Sequence, residues 1–171
     1  MLAYHAAGAT PIRPGRPGDE AALWATRASA LSRPSSNYRP AQLEAWIAAR
    51  RPGDFAAALL GSEEVFLVAE SGASVLGFAS VVVREAGQLW SLFVRPEAGG
   101  RGVGSALLAA SEAACLHRGR DRVEVAASLD ATDFYRARGY RGLLGFDANY
   151  PTARGPVRLG VVAMTKRLLG P

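Results

Sequence analysis

Four glycines stand within six residues of this chain, Gly99, Gly100, Gly102 and Gly104, in the stretch Pro96-Glu97-Ala98-Gly99-Gly100-Arg101-Gly102-Val103-Gly104-Ser105. The stretch follows the apolar run Leu92-Phe93-Val94 and opens a segment whose Val103, Leu107, Ala110 and Ala114 recur at helical spacing. Glycines there permit close backbone approach and positive φ. Open amides at a helix start, with a dipole end of about half a charge, make an anion site for which a pyrophosphate is the natural guest. The same glycines also suit a tight turn that holds nothing. Two other phosphate signatures are excluded, because no Gly-Lys-Ser/Thr follows and Leu107 stands where a dinucleotide fingerprint needs its third glycine. The second chemical group is Tyr135, in Asp133-Phe134-Tyr135-Arg136. A phenol can protonate a leaving group, or it can pack one face of a helix beside Phe134. Glu85, Glu97 and Glu124 are candidate bases acting through a water, and each equally reads as a surface carboxylate, so no base is assigned.

Certain chemistries have no residues to carry them. His5 and His117 are far apart in sequence and Cys115 is the sole cysteine, which leaves no metal-ligand cluster and no internal disulfide. Cys115 falls mid-helix on an apolar stretch, so a covalent cysteine intermediate is not expected.

The elements that must position these groups follow from periodicity and punctuation. Thr10 to Arg13 is a candidate strand, and Asp19 a candidate N-cap for a helix from Glu20 to about Leu31. Arg33 to Pro40 is a polar loop, Ala41 to Ala49 a helix broken by Pro52-Gly53, and Asp54 a candidate cap for a third helix through Leu60. Val65 to Glu70, Val75 to Arg84 and Gln88 to Val94 read as an antiparallel meander. Then come a helix from Gly102 to about Leu116, a strand from Val123 to Ala127, a helix from Asp130 to Arg138, and strands at Arg141 to Phe146 and Val157 to Thr165. The order predicts an α/β fold with a mixed, mostly antiparallel central sheet flanked by helices.

The composition bounds the rest. At 171 residues, 49% hydrophobic and 20% charged, the chain reads as one soluble globular domain over 1–171. Met1 to Thr10 lacks a basic n-region, no apolar run approaches a membrane span, and the cysteine usage fits a reducing cytoplasm. The net charge of +5 comes from scattered arginines, including Arg13, Arg50, Arg118 and Arg138, with no basic block interleaved with aromatics. Neither nucleic acid nor membrane is therefore an expected partner.

Pro96 to Gly104 resembles the acyl-coenzyme A loop of the GCN5-related N-acetyltransferases, Gln/Arg-x-x-Gly-x-Gly/Ala, with Gly102 and Gly104 matching and Gly99 in the Gln/Arg position. Ser128-Leu129-Asp130-Ala131-Thr132-Asp133-Phe134-Tyr135-Arg136-Ala137-Arg138-Gly139-Tyr140 resembles the family's later motif, Asn-x-x-Ala-x-x-Phe/Leu-Tyr-x-x-x-Gly-Phe/Tyr. Ala131, Phe134, Tyr135, Gly139 and Tyr140 match, and Ser128 replaces the Asn. The resemblance spans about Ile12 to Leu168 and implies a GNAT-like acyl-CoA N-acyltransferase fold. It implies acetyl-CoA as co-substrate, its pyrophosphate held by amides from Gly100 to Ser105, and its pantetheine paired with the backbone of Phe93 and Val94. Tyr135 would then serve the departing thiolate. The Arg33 to Pro40 loop and the next helix would line the acceptor pocket, with Tyr38, Trp46 and Trp90 as candidate aromatic walls, although Trp46 with Leu43 and Ile47 also makes a helical apolar face.

The expected function is direct acetyl transfer to a primary amine of a small molecule or peptide, by a monomer or homodimer. Its rival is a catalytically idle acyl-CoA-binding or regulatory module of the same fold.

Overall fold

The computed structural model describes residues 10–84, 86–153 and 155–168. Strand β1 (Ile12–Pro14) leads into helices α1 (Glu20–Leu31), α2 (Pro40–Ala48) and α3 (Pro52–Leu60). The meander β2 (Glu64–Ser71), β3 (Ser74–Val83) and β4 (Gly87–Val94) follows. Helix α4 (Val103–His117), strand β5 (Arg122–Ser128), the short α5 (Thr132–Arg136), and strands β6 (Arg141–Tyr150) and β7 (Val157–Arg167) complete the order.

Four helices depart from the sequence expectation, α1 in its cap and α2, α3 and α5 in their bounds. Asp19 does not cap α1: its backbone is already helical and its carboxylate accepts from Arg13 Nη1 at 2.7 Å, Arg13 Nη2 at 2.9 Å and the Arg16 amide at 2.9 Å. That arginine contact holds the Asp19 carboxyl below the usual carboxylate range. Helices α2 and α3 both begin on proline, whose fixed φ and missing N–H suit a first helical position. Asp54 therefore sits on the third residue of α3 and reaches back to accept the Arg51 amide at 2.7 Å. The helix expected from Asp130 to Arg138 divides into a 3-10 turn, Leu129–Ala131, and the single turn of α5. Thr132 Oγ1, donating to Leu129 O at 3.1 Å, ties the two together. Strand β6 runs four residues past the expected Phe146, because β7 is long enough to pair it down to Tyr150 opposite Val157.

The strands form one sheet in the order β1-β2-β3-β4-β5-β7-β6. Every pairing is antiparallel except β4 with β5. Helices cover both faces, so the central strands read as nearly unbroken apolar runs and alternate between two cores. On β2, Phe66 and Val68 join Leu23, Phe55 and Phe78 beneath α1 and α3. Its Val65, Leu67 and Ala69 turn to the other face, with Val103, Leu107, Leu108 and Cys115 of α4.

The parallel contact is short. Gly87, Gln88 and Leu89 pair with Val123, Glu124 and Val125, and beyond Leu89 the two strands part. The parting coincides with a bulge: Ser80 of β3 lies opposite Ser91, but Val81 lies opposite Leu89, which leaves Trp90 as an extra residue. A bulge bends its strand and raises the local twist. From Ser91 to Val94, β4 keeps its ladder to β3, while from Trp90 onward its other edge faces no strand.

Gly87 fixes the base of the opening. A Cβ there would overlap the Cys115 thiol and lie 3.2 Å from Cys115 Cβ and 3.4 Å from the Arg122 carbonyl, so α4 rests directly on the β4 backbone. Gly87→Val should cost about 1–3 kcal/mol by overpacking, measured by urea unfolding, and Cys115→Ala in the same chain should recover part of that loss. Additive effects of the two substitutions would show that the strain lies elsewhere.

Candidate functional site

The gap between β4 and β5 opens a cavity of about 790 Å³. Leu89 to Val94 of β4 form one wall and Val125 to Ser128 of β5 the other, with the glycine loop and the start of α4 at one end. Gly100 and Gly102 hold φ of 71° and 80°, and the left-handed Gly102 is the residue from which α4 starts. The first helical bond of α4 runs from the Ala106 amide to Gly102 O, so the amides of Val103, Gly104 and Ser105 have no intrahelical acceptor. The first turn carries no acidic side chain and the cap no side-chain hydrogen bond. This positive end faces the cavity uncompensated. Gly104 serves a different purpose: a Cβ there would lie 3.3 Å from the Phe134 ring, so its absence lets Phe134 pack against the helix start.

Of the cofactor residues expected from sequence, Phe93, Val94, Gly99, Gly100, Gly102, Val103, Gly104, Ser105, Ser128, Ala131 and Phe134 all line this one cavity. Arg101 does not; it is exposed and lines neither this cavity nor its neighbour. Tyr135 lines the cavity wall at 5% exposure, packed edge-on to Phe134 and Tyr140 at ring separations of 5.1 and 5.4 Å. Its hydroxyl has no hydrogen-bond partner among the described residues, and desolvation raises its pKa above the ordinary 10.

A second cavity of about 610 Å³ shares Trp46, Leu89 to Ser91, Phe93, Val125 and Ala126 with the first and extends toward β6 and β7. Trp46 and Trp90 thus stand at the junction of the two, and Trp90 is 56% exposed. Tyr38 lines neither. Its buried hydroxyl accepts the Leu129 amide at 2.8 Å and donates to Gly160 O at 2.6 Å, so it pins the end of β5 to β7 and meets Trp46 edge-on from behind.

The three carboxylates separate cleanly. Glu97 is exposed on the 3-10 turn before the loop, 3.7 Å from Arg95. Glu124 lines the second cavity from β5, beside Arg122 at 3.3 Å. Glu85 and His5 lie outside the described residues. Among the described residues no cluster of side chains could hold a metal ion, and no helix is long and apolar enough to cross a membrane.

Sequence reading passed over Arg138 and Arg27. Arg138 looks like helix-stop chemistry, yet its guanidinium stacks 3.8 Å from the Phe134 ring centre and donates to Phe134 O at 2.7 Å. It also donates to Ser105 Oγ, from Nε at 3.2 Å and Nη2 at 2.5 Å, and so lies at the first turn of α4 on the cavity wall. Arg27 on α1 looks like an ordinary helix-surface cation, but it is buried and lines the second cavity.

Residues 34–145, which hold both the loop and the Tyr135 segment, match the family model described as an acetyltransferase (GNAT) domain. The chain belongs to this family. Solved structures agree with the assignment. A GCN5-related N-acetyltransferase from Rhodopseudomonas palustris is 29% identical, with a TM-score of 0.83 over 98% of this chain and 99% of that one. PaiA N-acetyltransferase from Thermoplasma acidophilum, solved with coenzyme A, is 17% identical with a TM-score of 0.75 over 93% of this chain and 99% of that one. The ribosomal-protein-S18-alanine N-acetyltransferase of Escherichia coli is 18% identical at a TM-score of 0.66, covering 94% of both chains. None of the curated proteins matches. This GNAT chain has the family's mixed sheet, and the opening between β4 and β5 is where its glycine loop and Tyr135 meet.

Cys115 stands apart from the opening. It is fully buried under β4, and desolvation pushes its thiol up to about 11. At pH 8 iodoacetamide should label it at least about 100-fold more slowly in the native protein than after unfolding, since the thiolate is the reactive form. Rapid native labelling, followed by mass spectrometry, would contradict this burial.

Proposed function

We propose that this chain transfers an acetyl group from acetyl-CoA to a primary amine by direct attack within the opening. One observation carries the reading. The unpaired edge of β4, the start of α4 and Tyr135 line one cavity that shares a wall with a second, which leaves room for two substrates to approach from different sides.

The residues suit an acyl-CoA on chemical grounds. The amides of Val103, Gly104 and Ser105, with Arg138 beside them, offer a dipole end and a full cation to a pyrophosphate. The open edge from Trp90 to Val94 offers carbonyls and amides to the amides of a pantetheine arm, as a strand takes an added peptide. Bound there, acetyl-CoA supplies the activated acyl carbon. The amine attacks that carbon, the C–N bond forms, and the C–S bond breaks to release the thiolate. One proton leaves the amine and one reaches the sulfur, so the proton balance closes. Glu124, on the second cavity, receives the amine proton through water, and Tyr135 serves the sulfur.

The raised pKa defines the help Tyr135 gives. A phenol held above 10 keeps its proton across the working pH range, while an ordinary thiol ionises near 8.5. Full transfer to the thiolate is therefore uphill. The hydroxyl acts as a hydrogen-bond donor to the developing charge, and solvent completes the protonation.

Two measurements test this reading. Tyr135→Phe should slow the single-turnover acetyl step by about 10- to 1000-fold while CoA affinity and melting temperature stay near wild type. With the phenol protonated throughout, the wild-type rate should rise with pH as the amine loses its proton and show no falling limb below pH 10. An unchanged Tyr135→Phe rate would make the hydroxyl structural, and CoA binding without turnover of any amine would favour an idle binding module. Arg138→Gln should weaken CoA by about 10- to 100-fold in calorimetry, the worth of a charge-assisted contact, and flatten the salt dependence of binding.

A further inference from the structure

Arg27 is the one buried cation among the described residues, at 5% exposure, and no carboxylate pairs with it there. The other arginines of this region are matched: Arg13 with Asp19 and Glu70, and Arg50 with Glu64 through bonds of 2.9 and 2.7 Å. Arg27 donates to the Ile47 carbonyl at 2.9 Å and the Trp46 carbonyl at 2.5 Å, in the last turn of α2, and its guanidinium lies 5.6 Å from the Phe93 ring centre. Two of its five N–H donors are thereby shown to be engaged. Dipoles and a ring face do not neutralise a full charge, and a buried charge without a counter-ion is costly. Desolvation lowers its pKa to about 10, which still leaves it protonated near neutral pH.

This cation lines the second cavity, the one proposed above to admit the amine. The same cavity presents Glu124 from β5, and Glu124 pairs with Arg122 rather than Arg27. Around it stand Trp46, Trp90, Phe146 and Leu143, the last three exposed at 56%, 43% and 63%. An anion-seeking cation, a carboxylate and an apolar wall within one space call for a ligand carrying all three complements. We infer that the acceptor is an aminocarboxylate with an apolar body, a free amino acid whose carboxylate pairs with Arg27 while its amine lies toward Glu124. The inference rests on the acetyl-transfer reading for the role of the amine, but the carboxylate contact stands on Arg27 alone.

The test compares phenylalanine, tryptophan and 6-aminohexanoate with phenethylamine, tryptamine and pentylamine, the same bodies without the carboxylate. Wild type should acetylate at least one amino acid with kcat/KM about 10- to 100-fold above its decarboxylated partner, as a charge-assisted contact predicts. Arg27→Met should bring that ratio near one, and Arg27→Lys should keep part of it. Arg27 also holds α2, so the ratio within each variant is read because it cancels any loss of folded protein. Calorimetry with the CoA-bound enzyme supplies a readout free of turnover. Carboxylate-dependent binding that Arg27→Met abolishes, without acetylation, would sustain this inference and sink acetyl transfer. Turnover of the plain amines at equal or greater efficiency would do the reverse. An unchanged ratio in Arg27→Met, or a panel that neither binds nor reacts, would overturn the inference.

Discussion

The candidate site of this protein depends on two strands failing to stay paired. Parallel pairing of β4 with β5 begins at Gly87 opposite Val123 and ends at Leu89 opposite Val125. Had it continued, the backbone groups of Trp90 to Val94 would be consumed and the interior of the sheet would be closed. Two local features flank the point of separation. Gly87 lets α4 press against the base of β4, and the bulge at Trp90 turns the strand as it leaves its neighbour. An open strand edge inside a protein is normally a liability, because its amides and carbonyls lack partners. Here it borders a cavity large enough for a ligand, and a partner for that edge is what the fold withholds from itself.

Charge follows the same logic of leaving something unmet. The formal charge of +5 has no patch to explain it in the sequence, and surface arginines such as Arg122, Arg136 and Arg167 lie beside carboxylates. Two positive features are left without an anion inside, the start of α4 with Arg138 and, across the sheet, Arg27. They lie on different cavities that meet at Trp46 and Trp90. A protein that gained stability alone from its buried charges would have neutralised both, as it did for Arg50 with Glu64.

The order of elements was legible in the sequence because the apolar runs of β2 to β5 and the face of α4 repeat cleanly. The loop glycines were legible because left-handed φ at Gly100 and Gly102 leaves few alternatives. What sequence could not show was tertiary. Asp19 has the composition of a cap, but a neighbouring guanidinium outbids the helix amides for its carboxylate. Tyr38 has the type of a pocket wall, but its hydroxyl bridges Leu129 and Gly160, about a hundred residues away in the chain. Arg27 carries no local signal at all, since a helical arginine is ordinary until the carbonyls of Trp46 and Ile47 fold over it.

Arg138 also bears on the departure at the head of the loop. The family's pattern places Gln or Arg where this chain has Gly99, and a glycine there contributes no side chain to the helix start. Arg138 comes from the segment after α5, yet through Ser105 and the face of Phe134 it brings a guanidinium to the same first turn. Gly104 favours this arrangement, since a Cβ there would lie 3.3 Å from the Phe134 ring on which Arg138 stacks, and a bulky side chain would press on that ring. The place of Arg138 at the helix start thus depends on Gly104 and Phe134 together. Removing the glycine would therefore disturb the anion site twice, once through the backbone and once through the arginine that leans on the displaced ring.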